Sequence, residues 1–214
     1  MKINIIITYV QKIYRKRGVN MKKLALCLAV ILGTLSFADS FEIRTGYDIG
    51  GSYSNGPDAD GLPFEIGLEY RKALPYGFEL GAGLSYQWHE DTDKGDLYNS
   101  LPIYATARYN FGDYNGFVPY LKGDIGYSFN MGDFDDYDYR YFNYNVDSEV
   151  EDGFYYGIGG GVEYRGLTVD LMYKQNFADY TVKYSGPGYY AEDSGNADYS
   201  RVTLNIGYNF HVEY

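Results

Sequence analysis

Residues 201–214 read R-V-T-L-N-I-G-Y-N-F-H-V-E-Y and alternate without a break to the end of the chain. Val202, Leu204, Ile206, Tyr208, Phe210, Val212 and Tyr214 fall on one face, and Thr203, Asn205, Gly207, Asn209, His211 and Glu213 on the other. Successive side chains of a β-strand point to opposite faces, so this period of two predicts a strand with one apolar and one polar surface. Strands of water-soluble sheets rarely sustain the pattern for so long. A strand set between lipid and a polar lumen must, because the alternation has to persist across the whole bilayer.

Seven earlier segments repeat the pattern at about the 9–11 residues that a tilted spanning strand needs. Residues 41–49 place Phe41, Ile43, Thr45 and Tyr47 outward, and residues 62–71 place Phe64, Ile66, Leu68 and Tyr70 there. The same reading holds for residues 78–88, 101–111, 117–129, 154–164 and 167–177, which makes eight strands with the closing one. Their connections alternate in length. Residues 72–77, 112–116 and 165–166 are short, whereas residues 50–61, 89–100, 130–153 and 178–200 are long. Short turns on one rim and long loops on the other predict an all-β, antiparallel, up-and-down transmembrane barrel with periplasmic turns and extracellular loops.

The other end of the chain agrees. Met21-Lys22-Lys23 opens a basic stretch, residues 24–35 are mostly apolar, and Ser36-Phe37-Ala38 supplies small residues where a signal peptidase cuts. Residues 21–38 are therefore expected to be a signal peptide, and residues 39–214 the barrel domain. Residues 1–20 stand before a complete signal, as a start assigned too early or an extended basic region. All 29 acidic residues but only 11 of the 18 basic ones lie beyond residue 38, which leaves the mature chain with 18 net negative charges. That balance argues against nucleic acid as a partner. The single cysteine, Cys27, lies inside the signal, so thiol chemistry does not enter.

With its signal, eight segments, alternating loops and aromatic final residue, the chain resembles the small outer-membrane barrels of the opacity-protein and OmpA/OmpX-like type. Gly207, Tyr208, Phe210, Val212 and Tyr214 are similar to the signal that the barrel-assembly machinery reads in that family, with Tyr in place of the commoner terminal Phe. The resemblance implies residence in the outer membrane, contact with its lipid and a monomeric state. It brings no catalytic motif, and the expectation is a barrel alone, without the periplasmic peptidoglycan-binding domain of full OmpA-type chains.

Inward positions are expected to hold Glu42, Arg44, Asp48, Glu65, Glu69, Arg71, Glu79, Arg108, Lys122, Asp124, Glu163, Arg165, Asp170, Lys174 and Glu213. Mixed signs in so narrow a lumen predict a hydrogen-bonded plug, because an eight-stranded barrel is just wide enough for side chains to fill. The alternative is a narrow cation path along the acid excess. Gly157-Ile158-Gly159-Gly160-Gly161 is no phosphate loop, since Val162-Glu163-Tyr164 continues as strand rather than opening a helix. No cofactor is expected.

The long loops carry 18 acids against Lys94, Arg140 and Lys183. In the third, Tyr137, Tyr139 and Tyr141 alternate with polar residues, Arg140 among them, and Tyr144 follows, so that the loop would extend strands five and six as a hairpin. Tyrosine with asparagine is the chemistry of adaptable protein-binding surfaces. Three readings stay open: a solvated loop without a ligand, a surface for a basic host or bacterial protein, and calcium bridging through Asp133, Asp135, Asp136 and Asp138. The last has oxygen ligands but lacks EF-hand spacing. A hydrolase would need His89, Glu90 and Ser200 together at the outer rim, and no local motif supports it. The expectation is a nonenzymatic surface protein acting in adhesion or envelope integrity, with a small porin as the alternative. N-terminal sequencing of the membrane-inserted protein should begin at Asp39; a start at Met1 or Met21 would contradict cleavage.

Overall fold

Burial in this protein runs opposite to that of a water-soluble domain. Ile158, Ile125 and Leu121 are 63%, 57% and 55% exposed, while Glu69 is 0% and Arg71 1% exposed. The computed structural model describes residues 39–54, 63–89, 91–92, 95–96, 98–131 and 145–211. Within them, β1 (Ser40–Tyr53), β2 (Phe64–Ala73), β3 (Phe78–Trp88), β4 (Asp91–Thr92), β5 (Gly95–Asp96) and β6 (Asn99–Asn110) come first. Then follow β7 (Phe117–Met131), β8 (Asn145–Val150), β9 (Gly153–Tyr164), β10 (Leu167–Asn176), β11 (Asp179–Gly186), β12 (Tyr189–Asn196) and β13 (Tyr199–His211). Eight of these close a barrel in the order β1-β13-β10-β9-β7-β6-β3-β2. Each barrel strand pairs antiparallel with its neighbours, and β13 returns to β1 with Ser40 opposite His211 and Tyr53 opposite Tyr199.

The apolar set of each strand faces out. Ile43, Tyr47, Phe64, Ile66, Leu80, Leu171, Leu204 and Ile206 are all exposed. Only a hydrocarbon surrounding makes a continuous belt of this kind favourable, because water penalises apolar area by about 25 cal/mol per Å². Aromatic pairs cluster at the strand ends: Phe64 stacks on Trp88 at 4.1 Å, Phe117 on Tyr164 at 4.4 Å and Phe41 on Phe210 at 4.8 Å. Rings with one polar edge favour the headgroup boundary.

The short turns are built for their length. Arg165 and Gly166 have φ of 51° and 87°, and Asn115 and Gly116 repeat the pattern at 59° and 89°. Two consecutive left-handed residues match the twist of the hairpin they join. Arg165 is therefore spent on the turn. Contrary to the expectation from alternation, it is exposed at the short-turn rim, with its guanidinium 5.1 Å from the Tyr164 ring, rather than buried among the lumen charges.

Two further differences from the sequence reading have physical causes. A bulge lies between Asp48 and Gly50 in the β1–β13 register, so Ile49 is an extra residue. An extra residue reverses which face each later side chain takes, and Tyr53 thereby turns inward together with Asp48. The long loops are also not all irregular. β8 pairs with β11, and β11 with β12, in a three-stranded sheet standing on the long-loop rim. β8 thus joins the fourth loop, which the hairpin expected to extend strands five and six did not foresee; residues 132–144 lie outside the described residues.

Glycines set the width of the interior. A Cβ on Gly83 would lie 2.6 Å from Cε2 and 2.8 Å from the hydroxyl of Tyr104, whose hydroxyl donates to Glu69 at 2.9 Å. Gly83→Ala should consequently cost about 1–3 kcal/mol by overpacking, read from urea unfolding of the detergent-refolded barrel. An unchanged midpoint would mean that Tyr104 is not held in place.

Candidate functional site

The alternation that turns apolar side chains to lipid turns charged ones into the lumen. At its middle, Glu69 on β2 accepts from Arg44 Nη1 at 3.0 Å, from Arg71 Nη1 at 2.6 Å, from the Tyr104 hydroxyl at 2.9 Å, and from Lys122 Nζ on β7. Arg44 also forks onto Asp170 of β10 at 2.8 and 2.9 Å, and the Tyr120 hydroxyl donates to the same carboxylate at 2.8 Å. Arg71 reaches on to Glu42 at 2.7 Å and Glu79 at 2.8 Å. Toward the long-loop rim, Lys174 of β10 pairs with Glu65 of β2. Lys122 additionally lies 3.5 Å from Asp124.

Several of these contacts cross the barrel rather than run along its wall. Asn176 on β10 donates to Gln87 Oε1 on β3 at 3.2 Å and to Ser128 on β7 at 3.1 Å. β3 and β10 stand on opposite sides of the closed strand order. Side chains therefore meet across the full diameter at this level. Arg201, which sequence alternation allowed to be read inward but which went unassigned, completes this layer. It bonds Asn176 at 2.6 Å and lies 3.2 Å from Asp48 and 3.8 Å from Glu65. Glu42, Arg44, Glu65, Glu69, Arg71, Glu79, Arg108, Lys122, Asp124, Glu163, Asp170 and Lys174 thus lie inside, together with Arg201 and without Arg165.

Above the ionic layers sits an aromatic lid. Tyr53, Tyr98, Val150, Ala178, Ala197 and Tyr199 form a buried cluster, against which Tyr180 packs. His89 is held in it, 4.5 Å from the Tyr199 ring and 4.8 Å from that of Tyr98. Tyr98 is fixed by its bond to the Ala197 carbonyl at 2.9 Å. His89 faces inward, while Ser200 bonds Ser52 at 3.3 Å on the other side of the sheet. The hydrolase arrangement of His89 with Ser200 is therefore not assembled, and Glu90 lies outside the described residues. So do Asp133, Asp135, Asp136, Asp138, Tyr137, Tyr139, Arg140, Tyr141 and Tyr144, and Val212, Glu213 and Tyr214 of the terminal strand. Gly207, Tyr208 and Phe210 are described; Tyr208 and Phe210 face out with ring centroids 4.7 Å apart.

No protein-family model matches the chain. The uncharacterized protein PM1543 of Pasteurella multocida (strain Pm70) is 32% identical over 124 residues, 53% of this chain and 51% of that protein. The chain thus spans about half the length of that relative. Among solved structures, the outer membrane protein OprG from Pseudomonas aeruginosa is 15% identical, with a TM-score of 0.50 over 82% of this chain and 98% of the other. Neisserial surface protein A is 16% identical, with a TM-score of 0.50 over 80% and 96%. The chain has the fold of the small eight-stranded outer-membrane barrels. That fold, with an exterior that only lipid favours, makes it an outer-membrane protein.

Beyond the end of β3, His89 has no hydrogen-bond partner on either ring nitrogen among the described residues, and burial, reinforced by Arg201 beneath it, holds its pKa well below the usual imidazole value. Its unfolded pKa is about 6.5, so the unfolded chain takes up the proton first as pH falls. Stability is intact above that value and declines progressively as pH falls below it. Urea unfolding of His89→Phe should lack this component. An equal acid loss in both proteins would contradict a neutral, buried His89.

Proposed function

We propose that the protein is a nonenzymatic, non-conducting surface barrel acting in adhesion or envelope integrity through its outer sheet and acidic loops. The observation that carries this reading is the bonding between opposite walls at Asn176 and Gln87, with the His89 and tyrosine lid above it. With its interior occupied, the barrel offers partners chiefly its ends. A cation pore would require a path past Arg44 and Arg71, each bonded to at least two carboxylates. Opening such pairs strands buried charge, which typically costs 3–5 kcal/mol.

The outer sheet has two unlike surfaces. By register, Tyr180, Val182 and Tyr184 share a side with Ala191 and Tyr189, while Thr181, Lys183 and Ser185 share the opposite side with Ser194, Glu192 and Tyr190. Tyr184, Tyr189 and Tyr190 are exposed, and Glu149, Glu151, Asp179, Glu192 and Asp193 are exposed around the single cation Lys183 of this sheet. Exposed tyrosine among carboxylates favours a basic protein surface, in which aromatic contact supplies area and charge steers the encounter. The tyrosine-rich stretch of residues 137–144 (Tyr137, Tyr139, Arg140, Tyr141 and Tyr144) is assigned to the same proposed surface. Contact with outer-membrane lipid follows from the belt. A monomeric state and assembly through the terminal Gly207, Tyr208, Phe210, Val212 and Tyr214 complete the proposal.

Proteoliposomes carrying the barrel should adhere to a lysozyme-coated surface more than to an albumin-coated one, and salt should weaken the adhesion. Replacing residues 182–193 with a short Asn-Gly turn should remove most of that difference while leaving the barrel folded. Adhesion unchanged by the deletion, or equal on both surfaces, would refute the outer sheet as the binding surface.

A further inference from the structure

The turn between β6 and β7 reads Asp113-Tyr114-Asn115-Gly116-Phe117. Tyr114 N–H donates to the Phe117 carbonyl at 2.8 Å, and Phe117 N–H to the Tyr114 carbonyl at 3.3 Å, so Asn115 and Gly116 are the entire loop. Their φ values of 59° and 89° make it the left-handed pair that a two-residue hairpin favours. The two other short turns use the same backbone, but Tyr76-Gly77 and Arg165-Gly166 place side chains without an amide there. Asparagine before glycine carries a chemical liability. The glycine nitrogen, unhindered by any side chain of its own residue, attacks the asparagine side-chain carbonyl carbon. Asn115 is exposed, so water reaches it freely.

The nucleophile of that reaction is held. Gly116 N–H donates to Asp113 Oδ1 at 2.6 Å, a short bond to a charged acceptor. Attack requires the nitrogen to give up its proton and take on negative charge. A carboxylate at this distance stabilises the N–H and repels the anion that replaces it. The bond adds nothing to the hairpin ladder, which runs through Tyr114 and Phe117. Gly116 is further confined by the neighbouring strand, since a Cβ there would lie 3.2 Å from Cε2 of Tyr164. Asp113 itself is exposed and lies outside the lumen network, so replacing it leaves the ionic core untouched.

We propose that Asn115 is a site of spontaneous deamidation whose rate is held down by Asp113. A bond forms between Gly116 N and Asn115 Cγ, the Cγ–Nδ2 bond breaks, and the amide proton leaves with Nδ2 as ammonia. Water then opens the succinimide to aspartate or isoaspartate. Isoaspartate adds one carbon to the backbone, which a two-residue loop cannot absorb while keeping both Tyr114–Phe117 bonds. The site lies at the opposite rim from the outer sheet and stands or falls independently of it. Refolded protein should be incubated in mildly alkaline buffer and the tryptic peptide of residues 109–122 followed by mass spectrometry with fragmentation, which separates Asn115 from Asn110. Asp113→Ala, with its barrel spectrum intact, should convert Asn115 roughly tenfold faster than the unaltered protein, the factor that one charge-assisted hydrogen bond supplies. A second arm needs no variant in the folded state: the free peptide of residues 109–122 should react at least as much faster than the folded chain. Free peptides with and without Asp113→Ala should react alike, because the brake needs the folded turn. Equal rates in the two folded proteins would overturn the proposal. So would a folded chain as fast as its free peptide, or an Asp113→Ala effect of the same size in the free peptides.

Discussion

One buried carboxylate organises the interior. Glu69 accepts from Arg44, Arg71, Lys122 and Tyr104, which belong to β1, β2, β7 and β6. A charge at that depth is tolerable only when its lone pairs are all engaged and its charge is balanced. The cations are themselves shared onward, to Asp170, Glu42, Glu79 and Asp124, so the network is continuous rather than a set of isolated pairs. Each long side chain needs space from the facing wall, and glycine at positions such as Gly83 supplies it. The lipid-facing belt and the ionic core are two consequences of one alternation.

The alternation was legible because it has no exceptions along most strands: apolar outside and polar inside at a period of two is a direct reading of residue order. Boundaries moved by a few residues, since a strand continuing past the membrane no longer needs an apolar side. Beyond that, legibility failed for identifiable reasons. Arg165 looked inward by counting, but a two-residue turn needed left-handed backbone at that position. Arg201 stood on the inward parity of β13 and could have been found by extending the count one residue upstream. Tyr53 was hidden by the bulge at Ile49, which reverses the count without any mark in composition. The outer sheet was hidden because β8 finds its partner in β11, across the whole of β9 and β10. His89 is a different case. Its residue type suggested rim chemistry, whereas aromatic neighbours distant in sequence bury it.

Bonds that cross the barrel stand between its two ends. The lid of Tyr53, Tyr98, His89 and Tyr199 joins directly to the outer sheet through Val150 and Tyr180, so the surface that partners would meet stands on a packed base. At the other rim the ionic network ends at Arg108 and Glu163, 2.8 Å apart. Rigidity in the middle favours recognition at the outer rim, because little ordering remains to be done on binding.

The filled lumen is the claim on which this account rests, and single-channel recording in planar bilayers tests it most directly. Verified folded protein spanning residues 39–214 should give no stable conductance steps at neutral pH. Well-resolved cation-selective openings that disappear on neutralising Glu65 or Glu69 would contradict it and establish a small porin instead.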